Sequence, residues 1–374
     1  MINCQDFYNV LIVKNIIFFT GVPDSLLKDI CAYIADKVDT SHHIIAANEG
    51  GAIALATGYH LATGKIPMVY MQNSGFGNAI NPLTSLTDVE VCGIPMLIMI
   101  GWRGEPGKQD EPQHKKQGRI TPTLLEALEL PYTILSAADN VEEKLTHAIA
   151  TARKNSMPYI FLVKKDTFMP YALQHKQKDL GKLRREETLA LVVEQLDQRD
   201  IVVSTTGVTS RELYAYREKQ KQSHSSDFLV VGSMGHCSQI ALGIALAKEQ
   251  QQVYCIDGDG ALLMHMGSLA IIGSQQPKNF KHIVINNSAH ESVGGQPTAA
   301  KSLNIPAVAK ACGYQITLTA KTKIEVVEGV KKLKESEGPA LLEIQVKQGH
   351  RPDLGRPTTS PRQNKVAFMD FLRH

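Results

Sequence analysis

The sequence has little net charge and no long hydrophobic run. Its 374 residues carry a formal charge of +3, which is too small to predict a nucleic-acid partner. The longest apolar run, Ile94 to Trp102, is far shorter than the roughly 20 residues that a membrane helix needs. The N-terminus also lacks the basic and then apolar pattern of a signal peptide. We therefore expect a cytoplasmic protein that binds neither nucleic acid nor membranes.

Cysteines are few, and none of them shows the spacing of metal ligands. Most lie within apolar stretches, where reduced core thiols are the usual state. The six are Cys4, Cys31, Cys92, Cys237, Cys255 and Cys312.

Strand and helix patterns alternate along both halves of the chain. This alternation favours α/β domains with parallel sheets, and the chain is long enough for two of them. Basic residues gather between 164 and 185 without a strand or helix period, which is typical of a solvated linker. We expect an N-terminal domain at 1–165, a linker at 166–186 and a C-terminal domain at 187–374.

The most informative segment lies between residues 253 and 298. Its pattern predicts a buried strand at Val253–Ile256, a tight turn at Gly258–Gly260 and a helix at Ala261–Ser274. A second strand, His282–Ile285, then ends at the pair Asn286–Asn287. A carboxylate and an amide are therefore expected at the ends of two neighbouring parallel strands. Oxygen ligands of this kind suit Mg²⁺, and glycine lets the backbone approach phosphate oxygens.

A second signal lies in the N-terminal half. A short apolar strand around Ile44 and Ile45 is followed by Glu49 and by a helix rich in small residues. Considered alone, Glu49 is a carboxylate that the helix dipole favours at an N-terminus.

Together, the Gly-Asp-Gly turn, the spacer, the paired asparagines and the upstream glutamate resemble the signature of the thiamine-diphosphate-dependent enzymes. The resemblance implies two doubly wound parallel-sheet domains of the thiamine-diphosphate-binding fold, without the middle domain that many relatives carry. It implies thiamine diphosphate and Mg²⁺ as cofactors. It also implies at least a homodimer, because in this family the cofactor lies between domains of two subunits.

The resemblance assigns roles to individual residues. Asp259 and Asn287 would bind the metal through their side chains, and Ala289 through its backbone carbonyl. Glu49 would hydrogen-bond the aminopyrimidine ring and so activate the cofactor. Met234 would wedge under the thiazolium ring, although a core methionine is the alternative.

Further cofactor contacts are expected in loops that follow predicted strands, among them Ile201–Val203 and Phe228–Val231. The hydroxyl and N–H groups of the first loop suit diphosphate oxygens or simple helix capping equally well. These candidates are Thr206, Gly207, Ser233, Gly235, Gly258, Gly260 and Ala261. Between the asparagine pair and Ala289, the chain has Ser288 where the family pattern has glycine, which is expected to alter the backbone angles there.

Several local segments resemble the phosphonopyruvate decarboxylases, with the sulfopyruvate decarboxylases as near relatives. These segments span residues 20–25, 72–78, 101–107, 110–114, 287–298 and 354–357. The resemblance implies non-oxidative decarboxylation of 3-phosphonopyruvate to phosphonoacetaldehyde and CO₂, in 2-aminoethylphosphonate biosynthesis. A sulfopyruvate decarboxylase, a carboligase and a non-catalytic cofactor-binding subunit remain open alternatives.

A doubly anionic substrate needs cationic or N–H donors. The Gly/Pro-rich segment Trp102–Gly118, interpreted as a loop, supplies Arg103, whose planar fork suits a phosphonate. Ser74 and Gln296 are further candidates for substrate binding.

Protonation of the product needs groups that titrate near neutrality. The candidates for this proton relay are Asp24, His114 and His290. A structural histidine is the alternative for each of the two histidines.

Overall fold

The computed structural model describes residues 1–175 and 178–373, which divide into two compact units. The first unit contains the residues before the undescribed pair 176–177, together with His290–Gln296. The second contains the residues after that pair up to Ala289, and those from Pro297 onward.

A six-stranded, wholly parallel sheet forms the centre of the first unit. Its strands lie in the order β2-β1-β3-β4-β6-β5. They are β1 Phe19–Gly21, β2 His43–Ile45, β3 Met68–Gln72, β4 Leu97–Gly101, β5 Tyr132–Leu135 and β6 Tyr159–Val163. The helices are α1 Cys4–Val13, α2 Lys28–Lys37, α3 Glu49–Thr63, α4 Phe76–Ser85, α5 Pro112–Ala127 and α6 Val141–Asn155.

Apolar cores lie on both faces of this sheet. Along β3, Met68 and Tyr70 pack into one buried cluster, whereas Val69 and Met71 pack into another. Successive strand residues point to opposite faces, so an unbroken apolar strand indicates helices on both sides. This is the doubly wound arrangement that the alternating pattern predicts.

The second unit is also built on a six-stranded parallel sheet. Its strands lie in the order β13-β14-β10-β9-β7-β8. They are β7 Ile201–Ser204, β8 Asp227–Leu229, β9 Val253–Gly258, β10 Phe280–Asn286, β13 Ile316–Ala320 and β14 Ala340–Gln345. Outside the two six-stranded sheets, β11 Ala289–His290 pairs with β12 Gln296–Pro297. The helices are α7 Arg185–Val193, α8 Val208–Gln220, α9 Cys237–Ala247, α10 Asp259–Met264, α11 Ser268–Gln275, α12 Ile305–Ala311, α13 Lys323–Glu335 and α14 Pro361–Phe371.

The two sheets have the same topology. If the strands of the second sheet are renumbered 1 to 6 in chain order, the sheet runs 2-1-3-4-6-5 from the β8 edge. The first sheet has that same order. The predicted fold class is therefore confirmed, and the matching organisation of the two halves extends to strand order.

Four predicted elements differ from the structure. The tight turn expected at Gly258–Gly260 is instead a direct passage from strand to helix, because β9 runs to Gly258 and α10 begins at Asp259. The helix expected at Ala261–Ser274 is two helices, α10 and α11, because the backbone of His265 leaves the helical region at the end of α10. The strand expected at Phe228–Val231 begins and ends earlier, at Asp227 and Leu229. The segment interpreted as a loop up to Gly118 contains the start of α5, which has a proline at its first position, where a missing N–H costs nothing.

The predicted linker carries no helix or extended strand over its described residues before Arg185, where α7 begins. Residues 176 and 177 of that linker lie outside the described residues. Phe168 forms an isolated parallel bridge with Ile2. Over the described part of the chain, no helix combines the length and the hydropathy that a membrane crossing needs.

Candidate active site

Glu49 is the first residue of α3 and is almost completely buried. The side chain of Asn48 caps this helix by accepting the Gly51 N–H at 2.8 Å, as residues at this position commonly do. Asn78 donates from Nδ2 to Oε2 of Glu49, also at 2.8 Å. Burial raises the pKa of Glu49 above its ordinary value, and the Asn78 amide opposes that shift. The carboxyl group is thus fixed in position with one oxygen engaged.

Gly75 makes room for this carboxyl group. A Cβ atom at position 75 would lie only 1.9 Å from Oε1 of Glu49. Gly50, in the first turn of α3, similarly approaches the carbonyl of Asn78, since its Cβ would lie 2.7 Å from that oxygen. The contacts of Gly75 and Asn78 with Glu49 were not predicted from the sequence, although both residues lie in the segment 72–78; the glycine immediately before α4 was the available signal.

The expected metal ligands lie at the ends of two paired strands. Gly258 at the end of β9 pairs in register with Ile285 of β10. Asp259 is the next residue after β9 and Asn287 the next after β10, so both follow the same edge of the sheet. Oδ2 of the buried Asp259 accepts a hydrogen bond from the Thr298 hydroxyl at 2.5 Å. Thr298 is a contact that the sequence analysis missed, because it lies 39 residues away.

The chemistry of these groups fits a magnesium ion. Burial raises the pKa of Asp259 from 3.8 to about 6, while the Thr298 hydroxyl and the backbone of Asn287 lower it. A buried carboxylate of this kind is stabilised in its charged form by a cation. Asp259, the Asn287 amide oxygen and the carbonyl of the buried Ala289 offer oxygen donors only, which is the donor set that Mg²⁺ prefers.

Ser288 retains the backbone conformation that glycine adopts easily. Its φ angle is 55°, in the left-handed region, which costs a non-glycine residue about 1 kcal/mol. The Ser288 N–H and hydroxyl both donate to Oδ1 of Asn286, at 2.9 and 3.3 Å. Asn286 in turn donates to Glu343 at 2.7 Å. These hydrogen bonds offset the strain at Ser288. The backbone therefore keeps its left-handed conformation although serine replaces the glycine of the family pattern.

The loop after β7, which was predicted to bind the diphosphate, uses one of its hydroxyl groups in a hydrogen bond within the protein. The Thr206 hydroxyl donates to the carbonyl of Val231 at 2.8 Å. Gly207 precedes α8 with φ 93° and ψ −138°, a conformation that glycine alone adopts readily. The hydroxyl therefore has a structural role, and the glycine forms the turn that begins the helix.

The loop after β8 has two left-handed residues, Ser233 at φ 54° and Gly235 at φ 86°. A Cβ atom at Gly235 would lie 2.4 Å from Nδ1 of His265. Met234 between them is half-buried and lies outside helices and strands. It is therefore not a core methionine, and its role as a wedge stays a prediction.

The remaining candidates, Gly258, Gly260 and Ala261, surround Asp259 where β9 passes into α10.

Asp24 is fully buried in the first unit. Its Oδ2 accepts the backbone N–H groups of Leu26 and Leu27 at 2.9 and 3.2 Å. Its Oδ1 accepts from Nε2 of Gln72 at 2.8 Å, and Oε1 of Gln72 accepts from the Ser74 hydroxyl at 2.9 Å. Asp24 and Ser74 are thus joined through Gln72, which the sequence analysis did not single out.

The guanidinium group of Arg103 is hydrogen-bonded to Asp110 and Ser25. Its Nε donates to Asp110 at 2.8 Å, a second nitrogen bonds the same carboxylate, and a third donates to the Ser25 hydroxyl at 2.7 Å. These bonds use three of the five N–H donors of a guanidinium. Arg103 is therefore oriented by Asp110, and its predicted contact with substrate remains a prediction.

The other candidates lie in α5 and in the ribbon formed by β11 and β12. His114 is in the first turn of α5 and half-buried. Burial lowers the pKa of His290 to about 4, so its imidazole is neutral near pH 7. Gln296 is completely buried, and neither atom of its amide has a hydrogen-bond partner among the described residues. An amide of this kind is suited to a ligand.

Comparison with known proteins reveals matches along most of the chain. Residues 5–123 match the model of the thiamine pyrophosphate enzyme N-terminal TPP binding domain, and residues 205–344 match the C-terminal TPP binding domain. Phosphonopyruvate decarboxylases of Streptomyces viridochromogenes and Streptomyces hygroscopicus are each 31% identical to the chain. The alignments cover 100% and 99% of the chain, and 95% and 94% of those proteins.

A sulfopyruvate decarboxylase of Methanosarcina acetivorans is 32% identical over 94% of the chain and 92% of its own length. The chain belongs to the thiamine pyrophosphate enzymes. Within them it lies in the branch of the phosphonopyruvate and sulfopyruvate decarboxylases, so it is a thiamine-pyrophosphate-dependent carboxy-lyase. The resemblance to this family, which the sequence analysis based on Glu49, the Gly-Asp-Gly segment and the paired asparagines, is confirmed.

The space around Glu49 provides a test of its function in a thiamine pyrophosphate enzyme. Alanine at position 75 would displace the carboxyl group of Glu49, because the added Cβ overlaps Oε1. We expect Gly75→Ala to lower kcat by about 100-fold while thiamine diphosphate still binds. Steady-state kinetics and calorimetric titration of the cofactor measure the two quantities.

The matched control is Gly77→Ala, because a Cβ atom at position 77 meets nothing within 4 Å. This variant should retain wild-type activity. Equal activity of both variants would contradict the assigned position of Glu49.

Asp24 predicts a pH-dependent contribution to stability. Burial raises its pKa from 3.8 to about 6, so the native state holds this proton more tightly than the unfolded chain. The stabilisation is complete below about pH 4 and is lost as the pH rises through about 6. Between about pH 4 and pH 7, we expect the free energy of unfolding of Asp24→Asn to gain about 2 kcal/mol relative to wild type. Urea denaturation measures this difference.

Asp6→Asn is the control, because Asp6 is exposed, and its difference from wild type should not vary with pH. An Asp24→Asn variant that follows the pH dependence of wild type would show that the Asp24 carboxyl is not desolvated.

Proposed function

We propose that the chain decarboxylates 3-phosphonopyruvate to phosphonoacetaldehyde and CO₂, with thiamine diphosphate and Mg²⁺ as cofactors. The observation that carries the proposal is the similarity to two phosphonopyruvate decarboxylases over essentially the full length of the chain. The buried Glu49 and the oxygen donors around Asp259 support the cofactors.

The residues of the second unit would hold the cofactor. Asp259, Asn287 and the Ala289 carbonyl would bind Mg²⁺ as oxygen ligands. The N–H groups of the loops after β7 and β8, and those where β9 passes into α10, would approach the diphosphate, because helix N-termini favour anions. The candidates are Thr206, Gly207, Ser233 and Gly235 in the loops, Gly258 at the end of β9, and Gly260 and Ala261 in α10. When bound, thiamine diphosphate supplies the electron sink that lets a 2-oxo acid lose CO₂.

Glu49 would hold the proton exchanged with the aminopyrimidine ring. Asn78 occupies Oε2, so Oε1 is the oxygen assigned to this proton. The raised pKa of Glu49 favours its protonated form, and a protonated carboxyl can donate a hydrogen bond. Met234, half-buried in its loop, would support the thiazolium ring.

The phosphonate would be bound by the remaining N–H donors of Arg103. The ion pair with Asp110 fixes the guanidinium plane, and a preoriented fork is the geometry that recognises a phosphonate. Ser74 and the amide of Gln296, which has no hydrogen-bond partner in the part of the chain that the structure describes, would supply further polar contacts.

Asp24 would deliver the proton that the decarboxylated substrate needs. Its pKa of about 6 lies within reach of neutral pH, which suits a general acid. His114 and His290, of which His290 is neutral near pH 7, would complete the relay to solvent.

We also propose an assembly, domain bounds and a pathway for the enzyme. The enzyme would be a cytoplasmic homo-oligomer, at least a dimer, since the family motifs imply active sites shared between subunits. Its domains would span 1–165 and 187–374, with a linker at 166–186. Its product would enter the biosynthesis of 2-aminoethylphosphonate.

Sulfopyruvate is the second candidate substrate, favoured by the comparable identity to the Methanosarcina enzyme. Both substrates are 2-oxo acids that carry a second anionic group. An oriented guanidinium can bind either group, so the choice between them requires a measurement.

The test is aldehyde release by the purified chain with thiamine diphosphate and Mg²⁺. Phosphonopyruvate, sulfopyruvate and pyruvate are offered separately. We expect kcat/KM for phosphonopyruvate to exceed the others by about tenfold or more, equivalent to about 1.4 kcal/mol of transition-state preference. Arg103→Ala should lower that kcat/KM by about 100-fold, whereas Arg119→Ala, at an exposed position of α5, should not change it.

A preference for sulfopyruvate would show that the named substrate is wrong. Condensation products from pyruvate would indicate a carboligase. Cofactor binding without any reaction would indicate a non-catalytic subunit.

A further inference from the structure

Three metal-binding residue types meet inside the second unit. Cys255 and Asp257 lie two residues apart on β9, so their side chains point to the same face of the sheet. His282 of β10 is the register partner of Cys255. All three are at most 1% exposed. Their placement is therefore set by the strand pairing rather than by surface loops.

The donor atoms of these three side chains lie close together, yet His282 and Asp257 form no hydrogen bond with each other through Nε2. One donor atom of each residue lies within 4.8 Å of the others. Nε2 of His282 and Oδ2 of Asp257 are 3.7 Å apart, which exceeds the roughly 3.2 Å limit of a good hydrogen bond. Two ligands of a tetrahedral zinc ion lie about 3.4 Å apart. Nε2 of His282 has no hydrogen-bond partner among the described residues.

Neighbouring groups orient these donors. Nδ1 of His282 hydrogen-bonds the Tyr314 hydroxyl at 3.1 Å, which directs Nε2 toward Asp257. Oδ1 of Asp257 accepts the Gly258 N–H at 2.9 Å. Metal-binding histidines commonly have such a partner on the second ring nitrogen. Cys237 adds another thiol, with its Sγ 3.6 Å from Sγ of Cys255.

We propose that Cys255, Asp257 and His282 bind one zinc ion, separate from the magnesium ligands. A thiolate, an imidazole and a carboxylate are the donors that zinc selects, whereas Mg²⁺ prefers oxygen alone. The ion has a structural role: it fixes the end of β9 immediately before Asp259. The sequence analysis missed this site, because strand pairing brings together residues that lack the spacing of a zinc motif.

Metal analysis of the purified full-length chain tests the proposal. After dialysis against thiamine diphosphate and Mg²⁺, we expect about one zinc per chain in the wild type. Cys255→Ser and His282→Gln should each retain less than about a fifth of that zinc. Cys92→Ser is the matched control, since Cys92 is exposed, and should retain it all. Asp259→Asn should also retain zinc, which separates this site from the magnesium ligands.

A second measurement does not depend on the folding of variants. The wild-type chain freed of zinc should bind Co²⁺ with the charge-transfer absorption of a thiolate ligand, and zinc should abolish that absorption. Absence of both zinc and a thiolate–cobalt band would overturn the proposal. So would a full zinc content in Cys255→Ser, loss of zinc in Asp259→Asn, or a disulfide between Cys237 and Cys255 in the purified protein.

Discussion

The parallel pairing of β9 with β10 is the constraint on which the second unit depends. Because the strands run in the same direction and in register, Asp259 and Asn287 follow the same edge of the sheet. A shift of one residue would turn every side chain of a strand to the opposite face. The same pairing places His282 beside Cys255 in the interior. One register therefore determines the positions of both the proposed magnesium ligands and the buried cluster of Cys255, Asp257 and His282.

Desolvated carboxyl groups are the common chemical element of the two units. Burial raises the pKa of Glu49, Asp24 and Asp259, and perturbed groups of this kind concentrate at functional sites. Each is held by a few polar contacts, and glycines make space beside two of them, Gly75 at Glu49 and Gly101 at Asp24. Burial of each carboxyl group costs free energy. We expect this cost to be offset when the group binds a cofactor, a cation or a proton.

Sequence predicted those features that contiguous residues encode. The two parallel-sheet units, the strand before Asp259 and the position of Glu49 at a helix start all follow from local patterns. Contacts between distant residues were not predictable, as for Thr298 with Asp259. Arg103 was interpreted as a phosphonate ligand, but its bonds to Asp110 and Ser25 were not predicted, because they depend on the loop geometry that brings these residues together. The break between α10 and α11 was missed, since apolar periodicity continues across it.

The most direct test of the cofactor site is calorimetric binding of thiamine diphosphate, with and without Mg²⁺, to wild type and Asp259→Asn. We expect Asp259→Asn to weaken Mg²⁺-dependent binding by about 100-fold or more, while circular dichroism stays unchanged. Asp353→Asn, at an exposed position, should bind as wild type does. Undiminished Mg²⁺-dependent binding by Asp259→Asn would contradict the assignment of the cofactor to the edge formed by β9 and β10.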